Sequence, residues 1–496
     1  MQPLLALLPL AVFVLLLAGL QQSAAMAGLL SAALSLALAV IAFGYPADPT
    51  SLLGPALEAA FTSTAILWII FPALGIFEFQ AHTGANERIG AWLASISSRP
   101  QITALLIAWF FALFLEGAAG FGTPVALAAP MLVALGFPPM RALLMALFGH
   151  AAGVSFGAVG TPIVPLLGAA AVDPRSLSLL ILVPHAVMGG LLVLIVFRLA
   201  RPLDTAGRAS WLWVPAAAGL FFAPAAALAW STGPELPTLG GALIGMLLFA
   251  VLAKRMRSDQ HAGGARTSGS LLAAAMPYLL VLLLILLTRL VPPVAGLLRD
   301  AELTWRIGQN FGGSVSPLYH PGTILFVALV ASALIAARGT DALRLSLRGA
   351  AARLPPVAFA LFSVLLLARL MVHSGMIDVL ARSATGLAGN NWTIAAPLVG
   401  VLGAFVTGSA TASNIILADF QVAAAGTSNL EPLFALAGQG FGAAIGNIIA
   451  PHNIVAGAAT VGLIGREGDV LTRSLPVCVL YALAGGAVLL VLSRTI

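Results

Sequence analysis

Long apolar runs separated by short polar or basic loops dominate this chain. The runs fall near 4–20, 24–43, 59–79, 102–116, 119–136, 141–170, 177–197, 211–230, 238–253, 271–291, 321–337, 355–373, 392–407, 413–425, 433–463 and 474–492. Most of the long ones are apolar on every face, the pattern of helices buried in lipid or in other helices. A span takes about 20 residues, so the pattern predicts an all-α polytopic membrane protein of about 12–14 transmembrane helices. The first run follows Met-Gln-Pro without the basic segment of a signal peptide, and reads as a span.

Several runs are too short or too interrupted to cross simply. The stretches 102–136, 141–170 and 392–463 are crowded with Gly, Pro, Ser, Thr and Asn. A break at membrane depth frees backbone polar groups, which are tolerated only inside protein or around a wet cavity. Paired broken helices are also the best sequence pointer to a transporter's binding site. The breaks form two sets. The first is Glu116-Gly-Ala-Ala-Gly-Phe-Gly-Thr-Pro124 with Ser155-Phe-Gly-Ala-Val-Gly-Thr-Pro162; the second is Thr407-Gly-Ser-Ala-Thr-Ala-Ser-Asn414 with Gly446-Asn-Ile-Ile-Ala-Pro-His-Asn453. This predicts two structural repeats containing broken or re-entrant helices. The expected organisation is N-terminal spans at 1–56, a first transport repeat at 57–200, scaffold spans and connecting loops at 201–354, and a second transport repeat at 355–496.

Composition narrows the class. Sixty per cent of the 496 residues are apolar, 8% are charged, and the mean hydropathy is +1.05. Soluble domains are about a quarter charged, so a soluble globular protein is excluded, and a disordered chain would be far less apolar. The net charge of +6 concentrates in three windows, 198–210, 254–270 and 338–353. They carry Arg198, Arg201 and Arg208; Lys254, Arg255, Arg257 and Arg266; and Arg338, Arg344, Arg348 and Arg353, opposed by Asp204, Asp259 and Asp341. Short basic loops stay cytoplasmic, and cations dispersed in this way form no nucleic-acid footprint. The single cysteine, Cys478, excludes an intramolecular disulfide and any multi-cysteine metal site. No HExxH motif or acidic cluster suits a metal, the lone Lys254 cannot belong to a nucleotide loop, and no cofactor is expected. An enzyme has little support.

The candidate chemistry lies at the breaks. Glu116 ends an apolar run, and a carboxylate at that depth costs roughly 2.5–3.5 kcal/mol or more unless it is partnered, protonated or facing a cavity. It is the candidate proton carrier; the other reading is an interfacial acid at a helix end. Gly120 and Gly122, with Gly117, let the backbone turn and approach a ligand. Thr123 and Pro124 suit a new helix start, whose free NH groups attract an anion. Small-residue packing is the alternative there. Ser409, Thr411, Ser413 and Asn414, with Thr407, offer hydroxyl and amide groups to a carboxylate, or to neighbouring helices. Thr161, Asn447 and Asn453 complete the expected substrate-binding set. His150 and His452 flank the Gly/Pro breaks and could relay protons with Glu116. His185 and His373 read as hydrogen-bonded core residues, and Arg289 and Arg369 as side chains snorkelling to the interface.

At these breaks the sequence resembles the lactate permease family, bacterial transporters that take up L-lactate and glycolate with protons. The likeness is carried by Glu116-Gly-Ala-Ala-Gly-Phe-Gly-Thr-Pro-Val-Ala126 through Leu135-Gly-Phe137, by Phe156-Gly-Ala-Val-Gly160 and by Gly233-Pro-Glu-Leu-Pro237. Thr407-Gly-Ser409, Ser413-Asn414 and Ala459-Thr-Val-Gly-Leu-Ile-Gly465 with Glu467 also match. The pattern departs where the family usually has Asp, at Ala410; Lys, at Asn447; Gln, at His452; Asn, at His150; and an aliphatic residue, at Thr161. The resemblance implies a multi-pass protein of the bacterial inner membrane. It also implies secondary uptake of a small monocarboxylate by proton symport, with the anion, the proton and the bilayer as partners. An anion channel or ion/proton antiporter on the same architecture is the alternative, and a homo-oligomer stays open.

Overall fold

A computed structural model describes residues 2–495 apart from 21, 121, 202–209, 257–269, 309, 337–338, 389–390 and 465. Of the basic windows, Asp204, Arg208, Arg257, Asp259, Arg266 and Arg338 therefore lie outside the described residues. The described chain is helical almost throughout. Among the described residues, ten helices are long and apolar enough to cross a membrane, or eleven if Pro139–Ala151 and Val154–Ala169, bent by 59° at their junction, form one span. Against the expected 12–14, the remaining apolar runs are shorter helices, Gln2–Leu17, Thr123–Ala134, Pro321–Ile335 and Trp392–Thr407. Two of these are arms of the broken segments described below.

Starts and stops follow local chemistry. Asp48, Asp173 and Ser270 accept from backbone NH groups of the first turns of Pro49–His82, Pro174–Ala200 and Leu271–Leu290, the usual satisfaction of orphan donors. Proline opens Pro139–Ala151, Pro237–Arg255, Pro432–Gly446 and Pro451–Thr460, where its missing NH costs nothing.

One order of elements occurs twice. The 34-residue Pro49–His82 is followed by the 12-residue Ala85–Ile96, two arms joined by a turn over 100–134, a bent helix over 139–169, and Pro174–Ala200. The 35-residue Gly339–His373 is followed by the 13-residue Met376–Ala388, two arms over 392–427, a helix over 432–460 interrupted at 447–450, and Glu467–Thr495. In each case the arms fold back on one another. Ile107 and Phe111 share an apolar cleft with Ala126 and Pro130. In the second set the Ser413 hydroxyl donates to the Gly400 carbonyl (3.0 Å).

The first arm, Pro100–Ala118, is buried along its whole length and forms the centre of the molecule. It contains a π-helical turn, Leu105–Phe111, a feature frequent at functional sites. Close approach fixes glycine beside it: a methyl on Gly149 would meet the Ala108 carbonyl oxygen at 1.7 Å. The segment 292–320, expected as a polar loop, instead holds the helix Pro292–Arg299 and an antiparallel hairpin of Leu303–Ile307 and Phe311–Val315. Trp305 pairs with Gly313, which packs on Phe61 of Pro49–His82. The short Leu-Thr-Trp-Arg-Ile strand finds an apolar floor there.

Candidate functional site

All four predicted breaks are real interruptions, and they meet. In the first, the helix Ala112–Ala118 stops and Gly120 and Gly122 take left-handed φ values of 60° and 79°, a region that glycine enters without a Cβ penalty. Thr123 closes the turn, its hydroxyl donating to the Gly120 carbonyl (2.8 Å), and Gly122 offers no side chain to cap the new helix. In the second break, Ala158, Val159 and Gly160 are successively left-handed, at φ 42°, 54° and 82°. For Ala and Val this stores roughly 1–2 kcal/mol each, a cost typical of functional sites. The Thr161 hydroxyl donates to the Ala158 carbonyl (2.6 Å) and holds that turn.

In the third break, Gly408 is left-handed at φ 73°, and the Ser409 hydroxyl accepts from Ala412 NH to cap Ala410–Thr427. The fourth turns at Asn447. There Asn453 Nδ2 donates to the Asn447 carbonyl (3.1 Å) and to Asn447 Oδ1, while Asn453 Oδ1 is buried without a partner.

The breaks interlock. Asn453 Oδ1 lies 3.3 Å from where a Gly122 Cβ would sit, and the His452 ring covers Gly408 at 2.5 Å from its Cβ position. Asn414 Nδ2 donates to the Pro162 carbonyl (2.8 Å), tying the third break to the second. Between them is a cavity of about 50 Å³. The first break contributes Glu116, Gly120 and Gly122; the second Val154, Gly157, Ala158, Thr161 and Pro162; the third Gly408, Ser409, Ala410 and Thr411; the fourth Asn447, His452 and Asn453. Room for a water takes about 10–15 Å³, so the space suits a few waters or a very small ligand.

Glu116 and His452 are the titratable side chains of the lining. Glu116 Oε1 faces Gly157, whose added methyl would lie 2.2 Å from it. Among the described residues, no side-chain hydrogen bond or ion pair engages the Glu116 carboxyl, although the residue is only 4% exposed.

The structure brings nine of the expected residues to this cavity: Glu116, Gly120, Gly122, Thr161, Ser409, Thr411, Asn447, His452 and Asn453. Four lie behind it. Thr123 holds the first turn. His150 is buried, its Nδ1 against the Ala146 carbonyl at 2.7 Å and its Nε2 unpartnered. Ser413 and Asn414 accept from Gln439 Nε2 (3.1 and 3.2 Å). Gln439 Oε1 accepts from Gln421 (2.9 Å), and Gln421 Oε1 accepts from the Trp392 indole (2.8 Å).

Four further points differ from the sequence reading. Gln439 and Gln421, and the left-handed Ala158, were not anticipated. A lone amide in an apolar run, which must find a partner, was the available signal for the glutamines. The sequence gives no warning of a left-handed alanine. Arg289 does not snorkel to the interface: it is 9% exposed, ion-paired with Glu235 at 2.9 Å and stacked 3.6 Å over the Tyr319 ring. Arg369 faces Asp419 inside a second cavity. His185 is a core residue, as expected, its ring nitrogens within 3.0 Å of Ser155 Oγ and 3.1 Å of Tyr481 Oη. Among the described residues, no three metal-ligating side chains gather as a site.

Apolar spans on the outside and four helix breaks folded around one polar cavity describe a multi-pass membrane transporter. The family model described as L-lactate permease matches residues 2–496, and the chain belongs to that family. It is thus a permease of the plasma membrane and not an enzyme. It is similar to the L-lactate permease of Streptococcus iniae, 30% identical over 444 residues, covering 87% of this chain and 92% of the relative. It is also similar to the glycolate permease GlcA of Escherichia coli (strain K12), 26% identical over 539 residues, covering 98% and 95%. Among solved structures, the Alcanivorax borkumensis YdaH transporter is similar over 90% of this chain and 89% of that one, at a TM-score of 0.47 and 14% identity.

Proposed function

We propose that this permease takes up a small 2-hydroxy monocarboxylate, L-lactate or glycolate, together with a proton. The names of its relatives support the substrate class. So does the cavity: it is small, and it offers hydroxyls from Ser409 and Thr411, the Asn447 amide and uncapped backbone at Gly122. Such donors hold a carboxylate and a hydroxyl without placing a cation in the membrane.

The observation that carries the proton is the Glu116 carboxyl, which shares the cavity with no lysine or arginine. Two like charges 4 Å apart repel by about 4 kcal/mol at an effective dielectric of 20. An anion therefore enters readily only when Glu116 holds a proton, and the two leave together. The recurrent element order supports a pair of inverted repeats, 57–200 and 355–496, rocking about the cavity with 201–354 as scaffold.

In proteoliposomes, uptake of labelled lactate or glycolate should rise as outside pH falls, and Glu116→Gln should abolish uphill uptake while sparing exchange. Equal accumulation with and without a proton gradient would end the symport reading. Unchanged uphill uptake by Glu116→Gln would remove Glu116 from it.

A further inference from the structure

A second cavity, of about 500 Å³, lies behind the β-hairpin and is lined by Glu58, Val164, Ser314, Arg369, Ile415 and Asp419. Its walls continue those of the central cavity. Val164 is three residues past Thr161, and Ile415 is four past Thr411 on Ala410–Thr427. At about 1.5 Å per residue, that is roughly one helical turn. The two spaces therefore share the second and third breaks as a common wall.

The side of the membrane follows from charge. Lys254 and Arg255 end Pro237–Arg255, and Arg344, Arg348 and Arg353 lie early in Gly339–His373. Basic ends stay cytoplasmic. Leu271–Leu290 and Pro321–Ile335 run between that side and the hairpin, which places the hairpin, and the cavity behind it, outside.

Three ionisable side chains line it, Glu58 from Pro49–His82, Arg369 from Gly339–His373 and Asp419 from Ala410–Thr427, and His373 stands behind Glu58. The hairpin adds Gly312, Gly313 and Ser314 and no charge to the lining. Glu58 is well served, because His373 Nε2 lies 2.8 Å from its Oε2 and Gly312 NH donates to its Oε1 at 3.3 Å. Arg369 is not. Its Nη1 stands 4.0 Å from Asp419 Oδ2, beyond hydrogen-bond range, and its Nε is buried without a partner. A guanidinium with idle donors, facing a cavity, is suited to a carboxylate, which it can bind with two parallel hydrogen bonds.

We propose that this cavity is the outer vestibule of the transport route, and that Arg369 docks the incoming carboxylate in place of Asp419. The inference rests on the organic-acid reading above for its ligand. The local charge decides how exchange proceeds. Two carboxylates already face one guanidinium and one imidazole, so Asp419 competes with the ligand and must swing away to admit it.

Opposite signs test this. Arg369→Gln should raise the KM for uptake about tenfold with kcat little changed, Arg369→Lys should recover part of the loss, and Asp419→Asn should lower KM. An ion pair serving only the fold would make both neutral variants worse and lower their thermal midpoints alike, and that result would overturn the proposal. A second readout does not depend on transport. Cys478 is fully buried, so Thr62→Cys, on the cavity wall, introduces the one reactive thiol. A membrane-impermeant thiol reagent added outside should label it. Saturating glycolate should slow labelling when Arg369 is present and not in Arg369→Gln. An unreactive thiol, or labelling indifferent to glycolate, sinks the vestibule. Absence of lactate and glycolate uptake by the unmodified protein sinks the transport reading, while the labelling still judges the vestibule.

Discussion

Gly157→Ala displaces the Glu116 carboxyl while keeping the carboxyl itself in the site. Gly157 has φ −63° and ψ 155°, a conformation open to any L-residue, so the new methyl adds no backbone strain. It would lie 2.2 Å from Glu116 Oε1, and ordinary contact begins at 3.4 Å, so the carboxyl must retreat by about 1.2 Å. The atom that moves is the end of a flexible side chain at a cavity, which leaves folding nearly unchanged. A misplacement of about 1 Å at a working site costs on the order of 100-fold in rate, so uptake should fall 10- to 100-fold while the carboxyl itself remains. Gly149→Ala gives the contrast. Its methyl meets the Ala108 carbonyl oxygen at 1.7 Å between two buried helices, so backbone must part, at about 1–3 kcal/mol or more. Proteoliposome uptake and the thermal midpoint in detergent distinguish the two. Normal uptake by Gly157→Ala would show that the place of the Glu116 carboxyl is immaterial, and the symport argument would lose its geometric basis.

Other outcomes follow from buried polar partners. Gln439→Leu strips Ser413, Asn414 and Gln421 of their shared partner, and each group left unpaired costs about 1–3 kcal/mol; a clear fall in thermal midpoint is expected, and an unchanged midpoint would deny the network any structural role. Glu235→Ala leaves the Arg289 guanidinium buried without its counter-charge, at about 3–5 kcal/mol, and the pair Glu235→Ala with Arg289→Met should recover most of that loss in the same melt. Ala410 and Asn447 line one cavity at the two positions where the resemblance expects Asp and Lys. Ala410→Asp and Asn447→Lys should each depress uptake, and the double variant should restore it, with a coupling of about 1 kcal/mol or more in a double-mutant cycle; additive losses would mean that the two new charges do not pair.

The breaks could be read before any coordinates because their signal is local. Gly120, Gly122, Gly408 and the Thr161-Pro162 and Pro451 starts interrupt otherwise apolar runs, and a frayed backbone in lipid has to be gathered into protein. Which of the expected residues beside the breaks face the resulting cavity was legible only in part, nine of them lining it and four lying behind it, because helical periodicity identifies a side chain's face only when one face is polar. Here the arms are apolar on most faces, and the first is buried all round. His150 and His452 sit beside equivalent breaks in the sequence, yet one is packed against its own helix and the other covers Gly408. The buried arginines show the same limit more sharply. A lone charge within a span establishes that a partner exists, but the partner may come from any neighbouring helix. Arg289 draws on Glu235, 54 residues away, and His373 on Glu58, 315 residues away. With only 17 acids in the chain, the pool of partners was already short. The useful reading of such a sequence is therefore to treat each intramembrane charge as half of a pair, and to seek the other half among the few acids that no basic loop accounts for. That reasoning brings Glu58, Glu235 and Asp419 forward together. Among the described residues it leaves Glu116 as a buried acid with no side-chain partner, the observation on which the symport proposal rests.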